Sequence, residues 1–307
     1  MSDTTPTFSI ITPSFKMLEW LKLCSASVSD QERVTLEHIV RDGGTGPALD
    51  EWASAHPEVR CIQEPDRGMY DAINKGLKNS RGRLLAYLNC DEQYLSGALA
   101  KVERFFAENL SVEVVFGDTI LVDLNGQPLS YRRAVTPDRT HLRLDHLNTL
   151  TCATFFRRSV IERGLLFDTQ LGSIGDAVWM NSLLEAGVPM ACLPQPLAIY
   201  TFTGMNDSET SSRPAREVAE WQQRSPPPRR WLRLPAILLH RIRKLAAGAY
   251  QRRSVDYEIY TKASPHRRVR FQASKIHYGW PGTTAPAATG CESYRGANRT
   301  TVTTTRP

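Results

Sequence analysis

Two adjacent carboxylates, Asp91 and Glu92, stand just beyond the apolar run Leu84–Leu88. A strand that ends in neighbouring carboxylates at a crevice can hold a divalent cation through oxygen ligands, and the cation can bridge the phosphates of a nucleotide. The same pair also suits a solvated turn or a cap ahead of the next helix. Asp42 lies in Val40-Arg41-Asp42-Gly43-Gly44, where the glycines permit a tight turn and close approach to a ligand. Its carboxylate can accept hydrogen bonds from a ribose or a base, or merely close the turn. The string Glu64-Pro65-Asp66-Arg67-Gly68-Met69-Tyr70-Asp71-Ala72-Ile73-Asn74-Lys75-Gly76 joins a charged loop to a helix. Arg67 near that helix start suits a phosphate or base, and Asn74 sits one turn beyond Tyr70. Asp176 opens a later helical pattern, a position that an N-cap would also explain.

These residues need elements to position them. Phe8–Thr12 is a β-branched run that stops at Pro13, so Thr12, Pro13 and Ser14 form the end of a first strand. Leu18–Val28 has helical periodicity, His38–Val40 is a short strand and Val59–Gln63 a third. Gly68–Asn79 reads as a helix, Leu84–Leu88 as a buried strand, Leu95–Phe106 as a helix and Val112–Val122 as one or two strands. Alternating strands and helices indicate an α/β fold with a largely parallel sheet. Ligands of such sheets sit beyond the carboxyl ends of the strands, where Thr12-Pro13-Ser14, Asp42 and Asp91-Glu92 converge. Further on come Leu150–Phe156, a helix at about Asp176–Ala186, and apolar runs at Met190–Leu193 and Leu197–Phe202.

FSIITPSF, IVRDGG and EPDRGMYDAINKGLKNSRGRLLAYLNCDE together resemble the nucleotide-sugar-binding half of family 2 glycosyltransferases. ATFFRRSVIERGLLFD and GDAVWMNSLLEAG resemble the acceptor-side block of the same enzymes, and the likeness covers about residues 8–205. It is nearest to bacterial members that build exopolysaccharide, colanic-acid-like or O-antigen chains. The resemblance implies a GT-A fold: a Rossmann-like mixed sheet flanked by helices, with a nucleotide-sugar half at about 8–123 and an acceptor half at about 124–212. It implies a nucleotide-sugar donor contacted by Thr12, Pro13, Ser14, Asp42, Arg67, Asn74 and Asp91. It implies Mn²⁺ or Mg²⁺ on Asp91 and Glu92, and Asp176 as the base of an inverting transfer to a saccharide or lipid-linked acceptor. Gly43-Gly44-Thr45-Gly46-Pro47 lacks the second aspartate frequent in the family, and Glu92 replaces the usual Asp. Those departures leave open a second reading, a weakened transferase fold that binds nucleotide sugar or serves as an interaction scaffold.

The 307 residues are of ordinary globular composition, but their charge is divided. Residues 1–212 hold 19 basic and 27 acidic side chains, a net −8, whereas 213–307 hold 19 and 5, a net +14. The segment 213–278 is expected to be a basic helical extension, and 279–307, rich in Thr, Gly, Ala and Pro, a disordered tail. Residues 229–253 carry eight Lys or Arg and no acid around an amphipathic apolar set, which suits an anionic membrane surface. No nucleic-acid partner is expected, since the extension has no recognisable reading motif. The six scattered cysteines read as reduced thiols, and neither a secretory signal nor a spanning helix is expected. A cytoplasmic enzyme is expected, peripheral on the inner face of the membrane.

Overall fold

The computed structural model describes residues 5–203 and 213–281. Four parallel strands, β1 (Phe8–Ser14), β2 (Leu36–Asp42), β3 (Val59–Gln63) and β4 (Leu84–Tyr87), form one side of the sheet in the order β3-β2-β1-β4. Every residue of β1 is buried, as a central strand covered on both faces requires. Phe8 and Ile10 enter one core with α1 (Leu18–Ser29) and α4 (Ala98–Glu108). Ile11 enters the opposite core with Tyr70 and Ile73 of α3 (Met69–Lys78). A further helix, α2 (Pro47–Ser54), follows the Gly-rich turn after β2.

Beyond β4 the sheet becomes mixed. β8 (Thr154–Arg157) is antiparallel to β4 and to β6 (Val114–Val122), which in turn runs parallel to β9 (Met190–Thr201). The two-residue β5 (Gln93–Tyr94) closes the far edge on β9, and β7 (Pro128–Arg132) pairs with the second half of β6. Met190–Leu193 and Leu197–Phe202, read from sequence as separate runs, belong to one long strand. Pro194 and Pro196 are accommodated where its register against Gly117 and Asp118 shifts. Short helices α5 (Arg139–Leu144) and α6 (Ser159–Glu162) and the longer α7 (Gly175–Glu185) complete this half. The α/β architecture expected from sequence is therefore present, with helices on both faces of a mixed sheet.

The extension differs from the expected helical segment over 213–278. It holds α8 (Arg213–Arg224) and α9 (Arg233–Ala246), then a hairpin of β10 (Arg253–Thr261) and β11 (Ser264–Ile276). Alternation decides the hairpin: Val255, Tyr257, Ile259 and Phe271 are buried against Leu95, Ile120, Tyr131 and Ile199 of the body, while Asp256, Glu258 and Arg270 face outward. Arg268 forks onto Asp30 (2.5 and 2.8 Å) and donates to the Tyr94 carbonyl at 3.0 Å. The hairpin is thus packed on the sheet. Residues 282–307, most of the segment expected to be disordered, lie outside the described residues. The five described cysteines are all free thiols.

Candidate active site

The parallel strands β1, β2, β3 and β4 end on one side of the sheet. Thr12 Oγ1 lies 2.9 Å from His38 Nε2 and is fully buried, so it braces β1 on β2. Burial pushes His38 down to about 3, and it stays a neutral core imidazole. Pro13 and Ser14 are buried too; Gly43 N–H donates to the Ser14 carbonyl at 2.9 Å, which joins the ends of the two strands. Asp42 accepts Gly44 N–H (2.8 Å) and Thr45 N–H (2.6 Å) on one oxygen and the Thr45 hydroxyl (2.7 Å) on the other. Its carboxylate therefore shapes the 43–46 turn beyond β2.

The charged string before and within α3 is split between solvent and core. Arg67 is exposed, 3.8 Å from Asp71, and Lys75 bridges Glu64 and Asp71 at 3.0 and 3.2 Å. Asn74, expected on the nucleotide, has another task. Its amide donates to the Phe167 carbonyl at 2.8 Å and accepts the Phe167 N–H at 3.1 Å, so it staples α3 to the acceptor half. The reason is position: Asn74 is on the buried face of α3, with Tyr70 and Ile73.

Asp91 and Glu92 lie just past β4, as expected. Glu92 is 2% exposed and accepts the Asn89 N–H at 2.9 Å. Burial first and the Asp91 charge second push its carboxyl well above the usual range, and burial pushes Asp91 up to about 6. Two desolvated carboxyls this close destabilise each other's charge, a cost that a bound cation removes. Two further buried oxygens, Ser14 Oγ at the end of β1 and Asn89 Oδ1 next to the pair in sequence, have no hydrogen-bond partner among the described residues. The hard, all-oxygen donor set suits Mg²⁺ or Mn²⁺, and the unpartnered oxygens suit a polar ligand. From the other side Gln93 is held by the hairpin, its amide exchanging two 2.9 Å hydrogen bonds with the Tyr260 backbone.

Asp176 comes from the far half, in the first turn of α7. It is partly exposed, and burial pushes it up to about 6. Its backbone N–H donates to Tyr70 Oη at 3.1 Å, and its own carboxylate accepts the Ala177 N–H at 2.8 Å. A Cβ at Gly175 would run into the Tyr70 ring, so glycine there lets the tyrosine reach the helix start. The buried hydroxyl of Tyr87, raised chiefly by burial, feels both Asp176 and Glu92.

Sequence reasoning did not single out the roles of Tyr87, Gln93 or Glu217. Tyr87 looked like one more apolar strand residue, and Glu217 lies 41 residues from Asp176 in a segment read as an appendage. Among the described residues one other group could hold a metal ion, His141, Asp145 and His146, between α5 and α9. There Arg233 also pairs with Asp145 at 3.2 Å, and the His141 ring stacks on His240.

An α/β half with a carboxylate pair just past its fourth strand, joined through a mixed sheet to a second half that carries Asp176, has a GT-A-like fold. Residues 9–165, just over half of the chain, match the family described as Glycosyl transferase family 2, and the chain belongs to that family. It is 33% identical over 126 residues to a PGL/p-HBAD biosynthesis glycosyltransferase of Mycobacterium tuberculosis (strain ATCC 25618 / H37Rv), covering 39% of this chain and 49% of the relative. It is 28% identical over 134 residues to TuaG of Bacillus subtilis (strain 168), named as a candidate teichuronic acid biosynthesis glycosyltransferase, covering 42% and 53%. The chain thus spans about half the length of the curated relatives it matches. In fold it is similar to the mannosyltransferase PcManGT from Pyrobaculum calidifontis in complex with GDP-Man and Mn²⁺. That likeness has a TM-score of 0.52 and 17% identity, covering 80% of this chain and 73% of the other.

Proposed function

We propose that this protein transfers a sugar from a nucleotide-sugar donor to a saccharide or lipid-linked acceptor, with inversion and with a divalent metal, in bacterial surface polysaccharide synthesis. The observation that carries the reading is that the first half ends a buried strand in the carboxylates Asp91 and Glu92, while its helix α3 holds the backbone of Asp176 from the second half through Tyr70 Oη at 3.1 Å. Asp176, poised near 6, is ionised at neutral pH yet basic enough to take the proton of an acceptor hydroxyl. The acceptor oxygen bonds to the anomeric carbon as the bond from that carbon to the nucleotide diphosphate breaks, so one displacement inverts the centre. Asp91 and Glu92 would hold Mn²⁺ or Mg²⁺. When bound, that cation offsets the charge gathering on the leaving diphosphate. Thr12 and Asp42 shape the floor, and Arg67 stands at the rim as a charged group for the donor.

Family membership supports the donor and the metal, as do the GDP-Man and Mn²⁺ bound to the structurally similar mannosyltransferase. The names of the relatives support a saccharide or glycolipid acceptor. A membrane-borne acceptor agrees with an enzyme working at the inner face of the cytoplasmic membrane. The donor class is tested by a thermal-shift screen of UDP-, GDP- and TDP-sugars with and without Mn²⁺. One nucleotide class is expected to stabilise the protein selectively and only with metal. Equal shifts without metal would remove the metal assignment, and no shift with any of them would remove the donor site.

A further inference from the structure

Glu217, in the middle of α8, is one of the most completely hydrogen-bonded carboxylates of the described residues. It is buried at 4% exposure and lies outside the segment that matches the family. One of its oxygens accepts the Gly172 N–H and Arg213 Nε, both at 2.9 Å. The other accepts the Ser173 N–H at 2.9 Å and the Ile174 N–H at 3.1 Å. Burial alone would raise this carboxyl, but the three backbone donors and Arg213 outweigh burial and hold it below the usual range.

The three amides are consecutive, and they lead directly into Gly175 and Asp176. The start of α7 is therefore clamped twice. From α3, Tyr70 Oη takes the Asp176 N–H; from α8, Glu217 takes the three amides before it. Arg213 presses on Gly172 so closely that a Cβ there would overlap its guanidinium, just as one at Gly175 would overlap Tyr70. The N-cap residue, Ile174, supplies no side-chain cap. Without Glu217 three amides of the segment lose their acceptor at once, and the backbone that aims Asp176 loses one of its two anchors.

We propose that Glu217 is a positioning residue for the base Asp176, so that α8, in the basic extension, completes the transferase site. The inference rests on Asp176 being the base. A displacement on the order of 1 Å of a catalytic group can cost about a hundredfold in rate. Glu217→Ala is therefore expected to lower kcat about ten- to a hundredfold while KM for the nucleotide sugar stays near wild type, because the donor residues lie on the other half of the sheet. Glu217→Gln, which keeps one acceptor oxygen but loses the other, is expected to fall between. Assays run well below each variant's melting temperature separate this from general unfolding.

A second readout does not use activity. Amide hydrogen exchange at residues 172–176 is expected to accelerate in Glu217→Ala, with the exchange of β1 and β4 unchanged. Wild-type kcat in Glu217→Ala, or a loss of kcat and donor binding in equal measure, would overturn the positioning role; so would unchanged exchange at 172–176. If Asp176→Asn itself keeps wild-type activity, the base assignment fails instead, and the two failures are told apart by which variant stays active.

Discussion

Asp176 is where the chemistry and the stability of single residues meet. With its carboxyl at about 6 in the folded chain against about 3.9 in an unfolded one, the folded state binds more protons between those values. The stabilisation is complete below about pH 4 and lost as pH rises through about 6, an effect of about 2–3 kcal/mol. Asp176→Asn removes the ionisation, so the variant is expected to melt higher than wild type at pH 7.5 and equally at pH 4. Parallel thermal scans of the metal-free proteins check this, and an unchanged difference at the two pH values would contradict it. Asp91 and Glu92 shift in the same direction, so protons compete with a cation for this pair toward acid pH. The acidic pair could be located from sequence because a buried run ends abruptly in charge. Asn74 could not be assigned in the same way, since its partner Phe167 is 93 residues away and periodicity gives only the face, not what covers it.

At the scale of elements, the parallel half was legible from the short apolar runs and their turn residues. The extension was less so. Val255, Tyr257 and Ile259 alternate as a strand should, but the dense Arg and Lys around them resemble a basic helix when read for charge alone. The hairpin is decided by the apolar face of β6, β7 and β9 that it covers, a tertiary demand that overrides local composition. Helix α9 kept its expected character. Leu234, Leu238, Ile242 and Leu245 form an exposed row at three- and four-residue spacing, with Trp231 just ahead and Arg241, Arg243 and Lys244 alongside. Each Lys or Arg near an anionic surface adds roughly 1 kcal/mol, so this face suits a peripheral contact with lipid. The full chain is expected to float with phosphatidylglycerol vesicles, and the triple change Leu234→Glu, Leu238→Glu, Ile242→Glu to remain at the bottom of the gradient. Equal flotation of both would discard the lipid contact. Point changes are preferable to truncation, because removing α8 also removes the hydrogen bonds of Glu217 to residues 172–174.

Over the whole molecule, the −8 body and the +14 extension first suggest an enzyme with an appendage. The packing joins them. The hairpin braces Gln93, next to Asp91 and Glu92, and α8 braces the segment leading to Asp176, so the extension holds the chain neighbours of both carboxylate centres while α9 turns its apolar row outward. None of this could be read from a segment outside the family resemblance, because the contacts join positions 43 to 238 residues apart. The central claim is that Asp176 takes the acceptor's proton in a metal-assisted transfer. It is tested most directly by comparing Asp176→Asn with wild type, measuring sugar transfer from the donor class the thermal screen selects and donor affinity by calorimetry with Mn²⁺. Loss of a general base predicts a fall in transfer of about a hundred- to ten-thousandfold with donor affinity unchanged. Transfer by Asp176→Asn at the wild-type rate would contradict the account.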